Sequence, residues 1–216
     1  MDEINLDLTQ RVLVNTTKQA WFGSRADGVQ RKPLEREAAE SGRTTSVVQF
    51  MPGSAFPPHQ HPQGEEIFVL EGVFSDECGD YPAGSYLRNP PGSQHAPFSK
   101  EGCVLFVKLE QFQPGDTQTL AINTQGQAWQ AGHGGLKVMG LHQYGTEHTA
   151  LVWWPAGEVF QPHTHYGGEE IFVLEGEFID EHGRYPKGSW LRSPHASRHH
   201  PYVEQDTLIW VKTGHL

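Results

Sequence analysis

Cysteine is scarce in this chain: Cys78 and Cys103 are the only two. They do not recur in the related second half, where His182 and Thr207 stand in their places. A disulfide framework is therefore not expected, and a reducing cytoplasm is the expected location. Basic residues are also few, 16 against 26 acidic ones, for a formal charge of −10 and a pI near 5.7. That balance argues against a nucleic-acid surface, which needs clustered Lys and Arg. No apolar run approaches the roughly 18 residues of a membrane span, so no membrane association is expected. The opening MDEINLD has neither the basic nor the apolar region of a secretion signal. There is no nucleophile elbow, P-loop or dinucleotide fingerprint. Glycine and proline, by contrast, are plentiful at 24 and 15 residues, as in all-β folds with many short strands.

The chain is a duplication. HQHPQGEEIFVLEG, from His59 to Gly72, returns as HTHYGGEEIFVLEG, from His163 to Gly176, at an offset of 104 residues. From Gly53 to Lys108 roughly half of the positions match their partners without a gap. A period this long fits two domains better than a solenoid. The expected organisation is an N-terminal domain over 1–112, a linker over 113–118 and a C-terminal domain over 119–216, each large enough to bury a core. Further upstream VNTTKQAW (Val14–Trp21) resembles INTQGQAW (Ile122–Trp129) at offset 108, so the repeat begins near Arg11. Residues 1–10 have no counterpart and read as an edge strand or an arm.

LEREAAESG (Leu34–Gly42) has helical propensity, but its counterpart LHQYGTEHT (Leu141–Thr149) reads as strand, turn, strand. The repeat outweighs the propensity, which is a weak prior. TTSVVQF and HTALVWW are β-branched and aromatic, as strands prefer. CVLFVKL and TLIWVKT are continuous apolar runs typical of buried strands. Many short strands separated by Pro/Gly turns predict an all-β sandwich or barrel in each half.

On a strand, His59 and His61 point to one face, about 6.6 Å apart along the chain. The turn at Pro62–Gly64 brings Glu65 back on the neighbouring strand, and His95 closes the set after a further strand pair. His163, His165, Glu169 and His199 repeat the pattern; the register prefers His199 to its neighbour His200. Three neutral imidazoles and one carboxylate suit Zn, Fe, Mn, Ni or Cu rather than Ca or Mg. An isolated His-x-His is more often a surface pair, but here four ligand types recur in register while Gln60, Pro62 and Ala96 have drifted to Thr164, Tyr166 and His200. A divalent transition metal at two sites per chain is the expectation.

These residues resemble the cupin motifs. Gly53, His59, His61, Glu65 and Gly72 fit the first motif, and so do Gly157, His163, His165, Glu169 and Gly176. Gly84, Pro90, Gly92 and His95 fit the second, with Ser99 where Asn is usual. In the second copy Gly188, Pro194 and His199 fit, while Ala196 replaces Gly and Val203 replaces Asn. The resemblance covers nearly the whole chain and implies two tandem jelly-roll-like cupin β-barrels, a bicupin. More narrowly, the stretch from GEEIFVLEG through LRNPPGSQH to the last strand is similar to the cupin-like domain of ChrR-type anti-sigma factors. That similarity implies zinc held by His59, His61, Glu65 and His95 and by His163, His165, Glu169 and His199; iron, manganese and nickel suit the same ligands. The helical sigma-binding domain of that family, with its own zinc site, has no counterpart among the ten or so residues before the repeat.

Two functions follow as expectations. One is a regulatory or sensory metal-binding protein related to anti-sigma factors, with a sigma factor or another protein as partner. The other is a metal-dependent dioxygenase or related cupin enzyme acting on a small organic acid or diketone. A homodimer is compatible with both. Around the sites, Arg88 and Arg192 are expected in surface ion pairs or turn contacts, as most arginines are exposed, with an inward arginine binding a carboxylate or diketone ligand as the alternative. Glu66 and Glu170 have the parity to point away from the metal. Cys103 is expected as a buried inert thiol. His133, His142, His148, His182, His195 and His215 read as solvent or loop histidines.

Overall fold

The structure is a computed structural model, and it describes residues 3–38 and 41–216. Among the described residues it is all β apart from one turn of 3-10 helix at Thr16–Lys18. Two compact units form. One comprises Met1–Leu6 with Gln19–Gly126, the other Asp7–Lys18 with Gln127–Leu216.

In the first unit the main sheet runs in the order Leu120–Asn123, Ser85–Asn89, Glu65–Asp76, Cys103–Leu109, Thr44–Phe50, Val29–Arg36 and Phe22–Gly23. All of these pairings are antiparallel. The second unit has the matching order: Val12–Asn15, Ser189–Ser193, Glu169–Glu175, Thr207–Thr213, Glu147–Trp154, Lys137–Tyr144 and Gln130–Ala131. Both arms are exchanged relative to the sequence repeat. Val12–Asn15 pairs with Ser189–Ser193 of the later repeat, and Leu120–Asn123 pairs with Ser85–Asn89 of the earlier one. The compact units therefore differ from the contiguous segments 1–112 and 119–216 by these two arms.

Around Leu34–Gly42 the strand Val29–Arg36 ends in a bend and Thr44–Phe50 begins the return; Ala39 and Glu40 lie outside the described residues. The two cores are separate. Val29, Phe50, Ile67, Val69, Phe74 and Leu105 belong to the first, and Trp154, Ile171, Val173, Phe178, Tyr185 and Ile209 to the second. Alternation explains them: Ile67 and Val69 face one way along their strand, Glu66 and Phe68 the other.

Two sequence expectations need correction. Arg88 and Arg192 are fully buried, not in surface pairs. Arg88 pairs with Asp116 and Glu66 and lies 4.0 Å over the Phe112 ring. Arg192 donates to the Asp7 carbonyl at 2.9 Å. In each case the segment leading to the exchanged arm covers the guanidinium. His142 and His215 are likewise not solvent histidines. Their side chains are buried beside Glu147 at 3.6 Å and Glu170 at 3.2 Å. His133, His148, His182 and His195 are exposed.

Candidate metal centres and the chamber beside one of them

A short two-stranded ribbon carries the histidines of each unit. His59–His61 pairs antiparallel with Ser93–His95, setting His59 opposite His95; His163–His165 pairs with Ser197–His199, setting His163 opposite His199. The turn after His61 closes on Gly64, whose N–H donates to the His61 carbonyl at 3.2 Å with φ of +83°. That conformation is strained for any residue with a Cβ, and it delivers Glu65 to the head of its strand. The Gly92 N–H donates to the same His61 carbonyl at 2.8 Å, which ties the two motifs together. In the second unit Ala196 does this job at 2.9 Å and holds φ of +61° despite its Cβ.

The four side chains of each set come together as the sequence predicted. One ligand atom from each of His59, His61, Glu65 and His95 lies within 4.8 Å of the others, and the same holds for His163, His165, Glu169 and His199. His200 stays exposed with its N–H on Glu181. In the first set the ring centroids are 4.7, 5.0 and 4.9 Å apart. Glu65 lies 3.4 Å from His61 Nε2 and 3.5 Å from His95 Nε2. In the second, His199 Nε2 is 3.0 Å from His165 Nε2 and 3.3 Å from His163 Nε2.

These clusters fit a metal. His59 Nδ1 and His163 Nδ1 each sit 2.9 Å from a carbonyl oxygen, of Pro57 and Gln161. A carbonyl only accepts, so Nδ1 holds the proton and Nε2 presents a lone pair to the cluster. His61 Nε2 and His95 Nε2 are buried without a hydrogen bond. Bonds of about 2.0–2.1 Å to one ion put two imidazole nitrogens about 3.0–3.4 Å apart, the spacing found in the second set. Burial lowers the pKa of His61 and of His163, and takes His165 down to about 3, so these rings are neutral as ligands must be. Burial also pushes Glu169 up to about 7.

Supporting residues that sequence reasoning missed surround both sets. Asp76 lies 3.4 Å from His95 Nδ1, and Asp180 lies 3.5 Å from His199 Nδ1. Tyr185 donates to Asp180 at 2.6 Å, and Arg11 from the exchanged arm reaches it at 2.7 Å. Burial acts to raise Asp180, but the bonds from His199, Tyr185 and the His182 N–H, with Arg11, hold it well below the usual carboxylate range. Asp76 receives Tyr81 at 3.2 Å, and Thr119 stands where the repeat would place an arginine like Arg11. Asn89 donates to Glu65 at 2.9 Å; Ser193 holds the matching position. The matched acids were visible in the alignment of halves, but nothing in spacing says that they reach the histidines. Glu66 and Glu170 face away, bound by Tyr86 at 2.6 Å and by Trp190 at 2.7 Å. Cys103 is buried, and burial raises its thiol to about 11.

Beside the first set lies a chamber of about 110 Å³ that reaches His59, Glu65 and His95. It shares Arg31, Arg36 and Phe56 with a second space of about 390 Å³ that also meets His59, His61 and Glu65. Beside the second set is a space of about 30 Å³, lined by Arg11, His165 and His199 among others. On the core side of the second set Trp154 stands where the first unit has Phe50, and it packs edge-on against Phe160 and Phe178 with centroids 6.0 and 5.5 Å away.

Two antiparallel barrels, each gathering three histidines and a glutamate from two neighbouring motifs, define a bicupin. The chain belongs to the ChrR Cupin-like domain family, whose model matches residues 9–113 and 117–216. Among solved structures it is similar to a "putative dioxygenase" from Nostoc punctiforme, with TM-score 0.80 and 16% identity over 96% of this chain and 84% of that one. It also resembles the Escherichia coli pirin YhhW in complex with nickel(II), with TM-score 0.71 and 14% identity over 94% and 98% of the two chains. A variant of Bacillus subtilis oxalate decarboxylase matches with TM-score 0.65 and 12% identity over 94% and 76%. At these identities the likeness is one of fold. No curated protein matches the sequence. Among the described residues no helix is long and apolar enough to cross a membrane.

Proposed function

We propose that this bicupin binds a divalent transition metal at both sets, through His59, His61, Glu65 and His95 and through His163, His165, Glu169 and His199, and that the first centre acts on a small organic molecule. The observation that carries this reading is the chamber, whose lining includes His59, Glu65 and His95 beside an apolar wall. A metal bound in the first set would supply Lewis acidity, or oxygen chemistry if it were iron. The chain's own part is to orient and to exclude water. Asp76 and Asn89 fix His95 and Glu65, while Phe50, Phe56 and Phe74 give the chamber apolar walls. A dioxygenase or a related cupin reaction on a small acid or diketone is the enzyme class this supports.

A second reading, a regulatory role related to anti-sigma factors with a sigma factor or other protein as partner, draws on the family match. Zinc with four protein ligands is tetrahedral and leaves no open position, which suits either ligand set. Elemental analysis of protein purified without oxygen tests both. Iron or manganese in the first centre with zinc in the second supports the enzyme. Two zinc ions resistant to exchange support the regulator and contradict the enzyme.

A further inference from the structure

We propose that Arg11 makes the segment Asp7–Lys18 part of the second metal centre: the docked segment holds Asp180 beside His199, and a metal on His199 holds the segment in return. This rests on the reading of His163, His165, Glu169 and His199 as a metal centre. By sequence Arg11 belongs to the first repeat, yet the segment that carries it packs in the unit of the second. Its strand Val12–Asn15 is the edge of that sheet and pairs with Ser189–Ser193, which pairs in turn with the strand headed by Glu169. The register sets Val12 opposite Arg192. Arg11 comes one step beyond, where it lines one small space with Ser193, His165 and His199.

The contacts form a chain. His199 turns Nε2 toward His165 and His163, and Nδ1 toward Asp180 Oδ2, 3.5 Å away. The same Oδ2 takes the Arg11 guanidinium at 2.7 Å, and Arg11 also donates to the Tyr185 hydroxyl at 2.7 Å. Oδ1 accepts from Tyr185 at 2.6 Å and from the N–H groups of His182 and Gly183 at 2.8 and 3.2 Å. The Asp180 side chain is fully buried, and Arg11 brings it a permanent positive charge. A buried carboxylate is costly without such pairing, so docking of the segment anchors the aspartate. An outer carboxylate that fixes a ligating histidine is worth about 10–100-fold in metal affinity. In the first unit Leu120 lies opposite Arg88 as Val12 lies opposite Arg192, so Thr119 stands where Arg11 does. There Asp76 accepts from Tyr81 at 3.2 Å and from the Cys78 N–H at 2.8 Å, both in its own hairpin. A four-residue edge strand can open without the rest of its sheet. Linkage then requires that whatever the segment adds to metal affinity, the metal adds to docking of the segment.

The test is hydrogen exchange on the full chain, metal-free and loaded with zinc(II). It uses a His61→Ala background, so that elemental analysis reports the second centre alone. Zinc is expected to slow exchange in the segment Asp7–Lys18 about tenfold or more. Arg11→Gln should remove most of that dependence and speed zinc release to a chelator about tenfold, while zinc still protects the strand Glu169–Glu175. Arg11→Lys keeps the charge and should restore part of both effects. A merely structural arginine would raise exchange in the segment equally with and without zinc, leaving the zinc dependence intact in Arg11→Gln. That result overturns the proposal. So does exchange in the parent segment that zinc does not change, a measurement that needs no Arg11 variant to fold. A parent that takes up no zinc contradicts the metal-centre reading and this proposal together, and elemental analysis tells that failure from the others.

Discussion

The two barrels share a ladder, a ligand set and a turn geometry, yet their walls differ: the first has a chamber that meets His59, Glu65 and His95, and the second has a tryptophan where that wall has Phe50. Where Phe50, Arg31 and Arg36 stand in the first, Trp154, Val138 and Gln143 stand in the second. Where Asp76 receives Tyr81, Asp180 is clamped by Tyr185 and Arg11 together. The lesson is that a duplicated metal motif can be kept intact while the walls decide which copy is open to a ligand.

The sharpest way to separate the copies is to remove one ligand from each. His61→Ala and His165→Ala should each abolish metal uptake at their own centre, lowering affinity by well over about 100-fold, more than loss of a supporting residue. Metal counted per chain should fall by one in each variant and to none in the double variant. Full metal content in the double variant contradicts the assignment.

Next in size is a pH effect on metal-free protein. The folded pKa of Glu169 is raised by burial to about 7 from an ordinary 4.5. The folded state therefore holds this proton more tightly than the unfolded one, and stability from this group falls as pH rises from 4.5 through 7. Glu169→Gln should stabilise the metal-free protein by about 3 kcal/mol at pH 8 relative to its effect at pH 4.5, from a shift of that size. Chemical denaturation at the two pH values checks this, and a pH-independent difference contradicts it. A bound metal would hide the effect, because it pairs with the carboxylate.

Copying one filled wall into the open barrel comes third. Phe50→Trp should weaken binding of a small aromatic acid at the first centre about tenfold, worth about 1.4 kcal/mol, with metal content unchanged. Calorimetry with elemental analysis reads both; unchanged affinity would show that Phe50 does not bound the ligand. The smallest effect concerns the turn that joins the motifs. Ala196 holds φ of +61°, where glycine is unstrained. Ala196→Gly should stabilise the second barrel by about 0.5–1 kcal/mol, seen as a small rise in denaturation midpoint.

Much of this was legible in the sequence, because the repeat prints each candidate ligand twice. His59, His61, Glu65 and His95 emerge from parity on strands and one turn, and the all-β fold from short strands and turn residues. Three features were not legible, each for a physical reason. Arg31 and Arg36 differ in parity, and only a bulge at Pro33 puts them on one wall; the proline inside a strand run was the available signal. Arg88 and Arg192 are polar by type and buried by context, since arms from the other repeat cover them. Asp76 and Asp180 reach His95 and His199 across a sheet, a distance that chain spacing does not encode.

The central claim, that the first centre is open and the second closed, is tested most directly by cobalt(II) substitution. Single-centre proteins, His165→Ala for the first centre and His61→Ala for the second, are titrated with azide while the visible absorption of cobalt is recorded. The account predicts a saturable spectral change in the first centre and none in the second. Equal changes in both, or a change confined to the second, would contradict it.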